Sequence, residues 1–310
     1  MDYEIRQARI GDLDAVLTFC RRIWPERDYS ESTWPAWFGD HKRVILVAAR
    51  GERPIGVIRG EMMSSCEGWV EGVRIDPDYS SCGIGSQLLA EILPILRSRG
   101  AKYIRSLISM DNLASQRVFI KNLFRSPHRV RPFAIKRRTK RIDIGNYPAE
   151  LVKLGPLDGS LALGFLSDRK NSRKWRTYLE TTGNLYCYDG VHWRYWNKDH
   201  LAKHLETGEV WIWADPTLRA IAVVSTNAIR PGVSDVGLLE GSREACRCLL
   251  EGLTRSVIMP EGAKEFPPSA RTFLPLELSR MQRAACDAGY QSDRARHKAM
   301  HLYEWHAEET

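Results

Sequence analysis

Gly83 and Gly85, set two apart just ahead of an apolar helix pattern, are the residues whose spacing most directly implies chemistry. They follow Ser80, Ser81 and Cys82, and Ile84 lies between them. Ser86 then opens a run in which Leu88, Leu89, Ile92, Leu93 and Leu96 recur at helical spacing. A turn of this kind brings several backbone N–H groups toward one point, and the helix dipole adds partial positive charge there. Glycine lets a ligand approach the backbone without a side chain in the way. The chemistry suits a phosphate group. A dinucleotide-binding fingerprint needs a third glycine where this chain has Leu88. A nucleoside-triphosphate loop needs Gly-Lys-Ser/Thr, which is absent. Two glycines before a helix also fit a plain turn, so the surrounding order must decide.

The elements around the turn have a definite order. Tyr3, Ile5 and Gln7 alternate as a short strand, and Asp12 caps a helix carrying Leu13, Val16, Leu17 and Cys20. Residues 44–49 and 55–63 form a hairpin around the turn at 51–54, and 69–75 is the next strand. Pro77 ends that strand, the Gly turn and its helix follow, Gly100 stops the helix, and 103–109 is a strand again.

This order resembles the GNAT acetyltransferase superfamily. Its signature is a strand, a Pro-containing turn, Arg/Gln-x-x-Gly-x-Gly/Ala, a helix, a strand, then Asn, an aromatic seven residues later and Gly-Phe. Here the strand ends at Val73 to Ile75, the loop is Ser80 to Gly85, and Asn112, Phe119 and Phe124 fall at the later positions. The resemblance spans roughly residues 3–135. It implies acetyl-CoA as cosubstrate, no metal, and a primary amine as acceptor. By the same resemblance, Val73 and Ile75 pair with the pantetheine arm. The backbone of Ser80, Ser81, Cys82, Gly83, Ile84, Gly85 and Ser86 holds the pyrophosphate, while Asn112, Ser115 and Phe119 lie near the pantetheine and thioester. Three positions depart from the pattern. Ser80 replaces Arg or Gln, Phe119 replaces a Tyr that often protonates the departing thiolate, and Leu123 replaces the Gly of Gly-Phe.

Period-two alternation places Glu71 on the face of Val73 and Ile75, which makes it the expected general base, direct or through a water. A carboxylate simply paired with an Arg is the alternative. A backbone N–H at a strand bulge near Ile75 is the expected oxyanion donor. Trp24, Trp34 and Trp37 either wall the acceptor pocket or pack beneath a loop.

The pattern restarts near Asp143. Residues 161–165, 184–188, 210–214, 220–224 and 233–239 read as strands, and 200–205, 243–256 and 276–288 as helices, with a closing strand near 300–305. The expectation is an α/β (α+β) protein of two GNAT-like domains, 1–141 and 142–310, each a mixed, mostly antiparallel sheet flanked by helices. The second turn, LLEGSREA, has one glycine, so the second domain is expected to bind no CoA. His200 and His204 are expected on the surface rather than around a metal.

Between the halves, residues 125–141 hold eight Lys or Arg and no acid. They read as a strand edge defended by charge, with nucleic-acid binding as the alternative. The chain has 310 residues and a net charge of +8, which suits an anionic partner of either kind. Its composition, 43% hydrophobic and 27% charged, argues against disorder and low complexity. No apolar run is long enough to span a membrane and the opening residues have no signal-peptide core, which predicts a cytoplasmic protein. Seven cysteines without a CxxC pair argue against a disulfide framework or a zinc site. An acyl-CoA sensor without activity, or an RNA-associated protein, stays open beside the enzyme.

Overall fold

The computed structural model describes residues 2–23, 34, 37–136, 150–166, 177–226, 233–254, 269–292 and 299–307. The first part of the chain gives β1 (Glu4–Gln7), α1 (Leu13–Ile23), β2 (Arg43–Arg50), β3 (Arg53–Met62), β4 (Glu67–Ile75), α2 (Ile84–Ser98), β5 (Tyr103–Ser109), α3 (Leu113–Lys121) and β6 (Arg125–Lys136). Next come β7 (Glu150–Lys153), α4 (Gly159–Leu166), α5 (Tyr178–Thr181), β8 (Leu185–Cys187), β9 (Trp193–Tyr195) and α6 (Lys198–Glu206). The chain ends with β10 (Val210–Ala214), β11 (Arg219–Thr226), β12 (Val233–Gly241), α7 (Arg243–Leu253), β13 (Ser269–Pro275), α8 (Ser279–Asp287) and β14 (Met300–His306).

Two compact units result: Met1–Pro127 with His301–Thr310, and His128–Met300. Strands in the first follow the order β1-β2-β3-β4-β5-β14, and in the second β7-β10-β11-β12-β13-β6. Each sheet has one parallel step, β4 with β5 and β12 with β13. The sixth strands are exchanged. β6 leaves α3 and pairs antiparallel with β13 of the second unit, whereas β14, the last strand of the chain, closes the first. This is why the compact units do not follow the 141/142 boundary expected from sequence, and why the closing strand belongs to the first unit.

Sequence periodicity also gives one element the wrong type, and it leaves β7, β9 and β13 unassigned. Residues 161–165, expected as a strand, lie in α4. The run LALGF is apolar without clear alternation, and periodicity alone cannot separate such a run from a short helix. A turn at Pro156–Asp158, fixed by the Gly155 N–H donating to Asp158 at 2.7 Å, starts the helix.

The first unit has a core on each face of its sheet. On one face α2 packs Ile84, Leu88, Leu89, Ile92 and Leu96 against Leu46, Ile55, Ile58, Val70, Ile104 and Ile108. Those five α2 side chains are at most 1% exposed, and each contributes about 1.5–3 kcal/mol by its burial. Gly60 permits this contact, since a Cβ there would meet Ile92 at 2.9 Å. On the other face α1 places Val16, Phe19 and Cys20 with Trp34, Trp37, Ile45, Val47 and Val57. In the second unit, α4 and α6 cover Val210, Ile212 and Ile221.

Candidate functional site

The first unit opens where β4 and β5 part. The parallel ladder runs only from Glu67↔Tyr103 to Trp69↔Arg105, yet β4 continues to Ile75 and β5 to Ser109. Beyond Trp69 the β5-facing edge of β4 therefore has no strand partner among the described residues. An extended amide chain can add to such an edge as another strand.

A bulge shapes the same stretch. Val57 pairs with Arg74 and Arg59 with Glu71, so β4 carries one residue more than β3 between those pairs. Gly72 takes φ +69° there, a left-handed value that favours glycine. The extra residue breaks period-two alternation. Val73 and Ile75 pack against the α2 cluster. Glu71 lies on the opposite face, ion-paired with Arg59 and accepting from Trp69 Nε1 at 3.1 Å. Arg59 also pairs with Glu61, and its guanidinium sits 4.7 Å over the Trp37 ring. The expectation that Glu71 shares the face of Val73 and Ile75 is thus corrected, and the bulge falls at Gly72 and Val73 rather than near Ile75. A glycine inside a strand pattern was the available signal.

From the end of β4 the chain enters the Gly turn through a fixed corner. Asp76 is fully buried and its N–H donates to the Ile55 carbonyl at 2.9 Å. Its carboxylate accepts from Asp78 N–H at 3.2 Å, Arg22 at 3.0 Å and Arg53 at 3.2 Å. Arg22 also grips Asp78 and holds that carboxyl below its ordinary pKa. Sequence reasoning missed these three positioning residues, because the arginines lie 54 and 23 residues away from Asp76 along the chain.

Within the turn the two ends are internally satisfied. Ser80 N–H donates to Pro77 at 3.2 Å, and Ser86 N–H to Gly83 at 3.0 Å. Ser86 Oγ accepts from Asn122 at 2.9 Å. Between them, the N–H groups of Ser81, Cys82, Gly83, Ile84 and Gly85 find no acceptor among the described residues. Ser81 and Gly83 adopt φ +65° and +80°, and such left-handed steps form an anion-binding nest. Ser80, Ser81, Cys82 and Gly83 are exposed, whereas Ile84 and Gly85 are buried. The free donors belong to the start of a 15-residue helix, where the dipole favours negative charge.

The remaining expected residues cluster at α3. Asn112 caps it, its Oδ1 accepting from Ser115 N–H at 3.1 Å. Gln116 holds the preceding turn through the carbonyls of Ser109 and Met110, at 3.1 and 2.9 Å. Phe119 is core, 2% exposed, with its ring 4.8 Å from Phe124 and 5.9 Å from Tyr303. Trp34 and Trp37 are buried in the α1 cluster. Trp24, and Arg137, Arg138, Lys140 and Arg141 of the basic run, lie outside the described residues.

The second unit repeats the architecture with the gap between its parting strands closed. β12 also bulges, at Gly237, and its ladder with β13 ends at Val236↔Thr272. At the next step Tyr178, 1% exposed, brings its hydroxyl to the carbonyls of Phe273 (3.0 Å) and Gly237 (3.2 Å). Burial pushes that phenol well above its ordinary pKa. The turn into α7 is short. Ser242 Oγ takes the Ala245 N–H at 3.2 Å, and Gly241 N–H donates to Glu240 at 3.2 Å. Glu240 also accepts from Tyr178 N–H at 2.5 Å and Arg280 at 3.3 Å.

His200 and His204, expected at the surface, are 8% and 1% exposed. His204 joins Glu209 (2.6 Å) to the Tyr186 hydroxyl (2.9 Å), and aromatic rings pack around the pair. Among the described residues no three His, Cys, Asp or Glu are placed to hold a metal, and no helix is long and apolar enough to cross a membrane.

Comparison with known proteins agrees with this geometry. Residues 12–123 match the model of the acetyltransferase (GNAT) family. The fold matches that of a GCN5-related N-acetyltransferase from Sphaerobacter thermophilus, with TM-score 0.57, 13% identity, and coverage of 98% of this chain and 95% of that one. It also matches a candidate acetyltransferase from Thermoplasma acidophilum, with TM-score 0.53, 12% identity, and coverage of 98% and 99%. No curated protein matches the sequence.

Proposed function

We propose, residues 12–123 being a domain of the GNAT acetyltransferase family, that the chain transfers an acetyl group from acetyl-CoA to a primary amine. The observation that carries this reading is the line from five unsatisfied N–H groups at Ser81 to Gly85 to the open edge of β4. One end offers a diphosphate site and the other a place for an amide chain, which is the order of groups in CoA. The pyrophosphate accepts from the turn, and the pantetheine amides pair along Val70 to Ile75.

The reaction is direct. The amine nitrogen attacks the thioester carbonyl, the C–S bond breaks with its electron pair on sulfur, and the amine proton leaves. Holding both substrates together supplies much of the rate, since a well-oriented pair gains about 7–11 kcal/mol. A main-chain N–H at the Gly72–Val73 bulge is the donor we assign to the oxyanion. Glu71 is the carboxylate we assign to the amine proton, through a water. Its ion pair with Arg59 competes with that task.

Thiol release from acetyl-CoA in the presence of a panel of amines tests the activity. A wild-type protein that binds acetyl-CoA but acetylates none of them leaves a sensor in place of an enzyme. Glu71→Gln should lower turnover roughly 10²-fold with little change in CoA affinity. Unchanged turnover removes Glu71 from the mechanism.

A further inference from the structure

A departing CoA thiolate, with a thiol pKa of about 8.5, leaves more readily beside a hydrogen-bond donor. The side chains around the opening offer few. Phe119 has no hydroxyl. Ser109 donates to Asp111. Tyr79 precedes Ser80, at the diphosphate end of the groove, with the length of the pantetheine between it and the sulfur.

Ser106, Ser115 and Tyr303 carry the hydroxyls that remain, and of these the phenol is the strongest acid; Tyr303 lies on the strand that closes the first sheet. Glu304 meets Arg105 at 2.5 Å, His306 packs edge-on to Tyr103 at 5.1 Å, and Ala307 N–H donates to Lys102 at 3.0 Å. These contacts fix an antiparallel register in which Tyr303 lies opposite Ser106. Ser106 is the first β5 residue beyond the last β4 pair, Trp69↔Arg105. Tyr303 shares the α2 and α3 face with Phe119, Ile104 and Ile108. The small Ser106 side chain lies between it and the opening, and a phenol spans more than the ~4.8 Å that separates neighbouring strands. The residue is 2% exposed, yet its hydroxyl has no hydrogen-bond partner among the described residues and is not one of the sealed, unpaired polar atoms. It therefore opens onto a space that solvent enters.

We propose that the Tyr303 hydroxyl donates a hydrogen bond to the CoA sulfur as the C–S bond breaks. The inference rests on the acetyl-transfer reading. The electron pair stays on sulfur, the phenol stabilises it, and CoA leaves as the thiol after a proton passes from solvent through the phenol. The proton lost by the amine balances the one gained. A phenol is protonated at neutral pH at its ordinary pKa of about 10, and burial raises that of Tyr303 further.

The test is Tyr303→Phe in the full chain, assayed for thiol release with an amine that the wild type acetylates, alongside acetyl-CoA calorimetry and a thermal melt. Turnover should fall roughly 10- to 100-fold with KM for acetyl-CoA and Tm unchanged. Adding Phe119→Tyr, on the ring that packs against Tyr303, should restore part of the loss. A Tyr303→Phe enzyme at wild-type turnover, or one whose loss merely follows a lower Tm or weaker CoA binding, overturns the assignment. A wild type that binds no acetyl-CoA overturns the functional reading instead, so the two failures are distinct.

Discussion

The two units build the same corner and use it differently. In each, a bulged strand leaves its parallel partner and turns into a helix. In the first unit the turn spans Asp76 to Gly83, and together with the first two residues of α2 it leaves five N–H groups without an acceptor among the described residues. In the second the turn shrinks to Gly241 and Ser242, whose hydroxyl caps the helix, while the Glu240 carboxylate answers the Gly241 N–H. The gap between strands differs likewise. Tyr178 bridges the parting strands in the second unit. In the second unit a phenol from its own chain occupies the place along the bulged strand that pantetheine would take in the first. On the acetyl-transfer reading, one fold serves once as a site and once as a scaffold, and the difference lies in a few polar groups.

The largest expected effect breaks the scaffold. Tyr178→Ala removes a buried ring and leaves two carbonyls without their donor, and should cost about 3–5 kcal/mol in denaturant unfolding. It should not create a second CoA site, because the short turn into α7 stays capped by its own Ser242; a second equivalent of bound CoA would make Tyr178 alone the difference between the units. Gly83→Asp should weaken acetyl-CoA binding at least 100-fold, about 2.7 kcal/mol, by forcing a side chain into the left-handed region and setting a charge against the diphosphate. Its unfolding midpoint should change far less, since Gly83 is exposed. Tyr178→Phe keeps the ring and loses only the hydroxyl, for about 1–3 kcal/mol.

The smallest effect concerns Glu240. Burial raises its pKa, so the folded chain holds that proton more tightly than the unfolded chain. Its contribution to stability is complete below the unfolded pKa and declines as pH rises through the higher folded value. Melts of wild type and Glu240→Gln from pH 4 to 7 should show the wild type losing ground to the variant as pH rises.

Local patterns carried much of this comparison in advance. Gly83, Gly85 and the leucine periodicity of α2 are near neighbours in sequence, and they mark both the turn and its helix. The paired architecture was legible for the same reason, through recurring strands and helices. What lay hidden depends on long range or on one residue. Gly72 adds a residue to β4 and moves Glu71 to the other face, against Arg59. Asp76 is held by Arg22 and Arg53 from separate elements. The exchange of β6 and β14 requires knowing which sheet a strand joins, and alternation does not encode that. Tyr178 as a plug was likewise invisible, since its partners Gly237 and Phe273 are 59 and 95 residues away.

Titration calorimetry of the full chain with acetyl-CoA tests the central claim most directly. One molecule should bind per chain, Gly83→Asp should abolish that binding, and Glu240→Gln should leave it intact. No binding, two equivalent sites, or a single site untouched by Gly83→Asp would contradict the account.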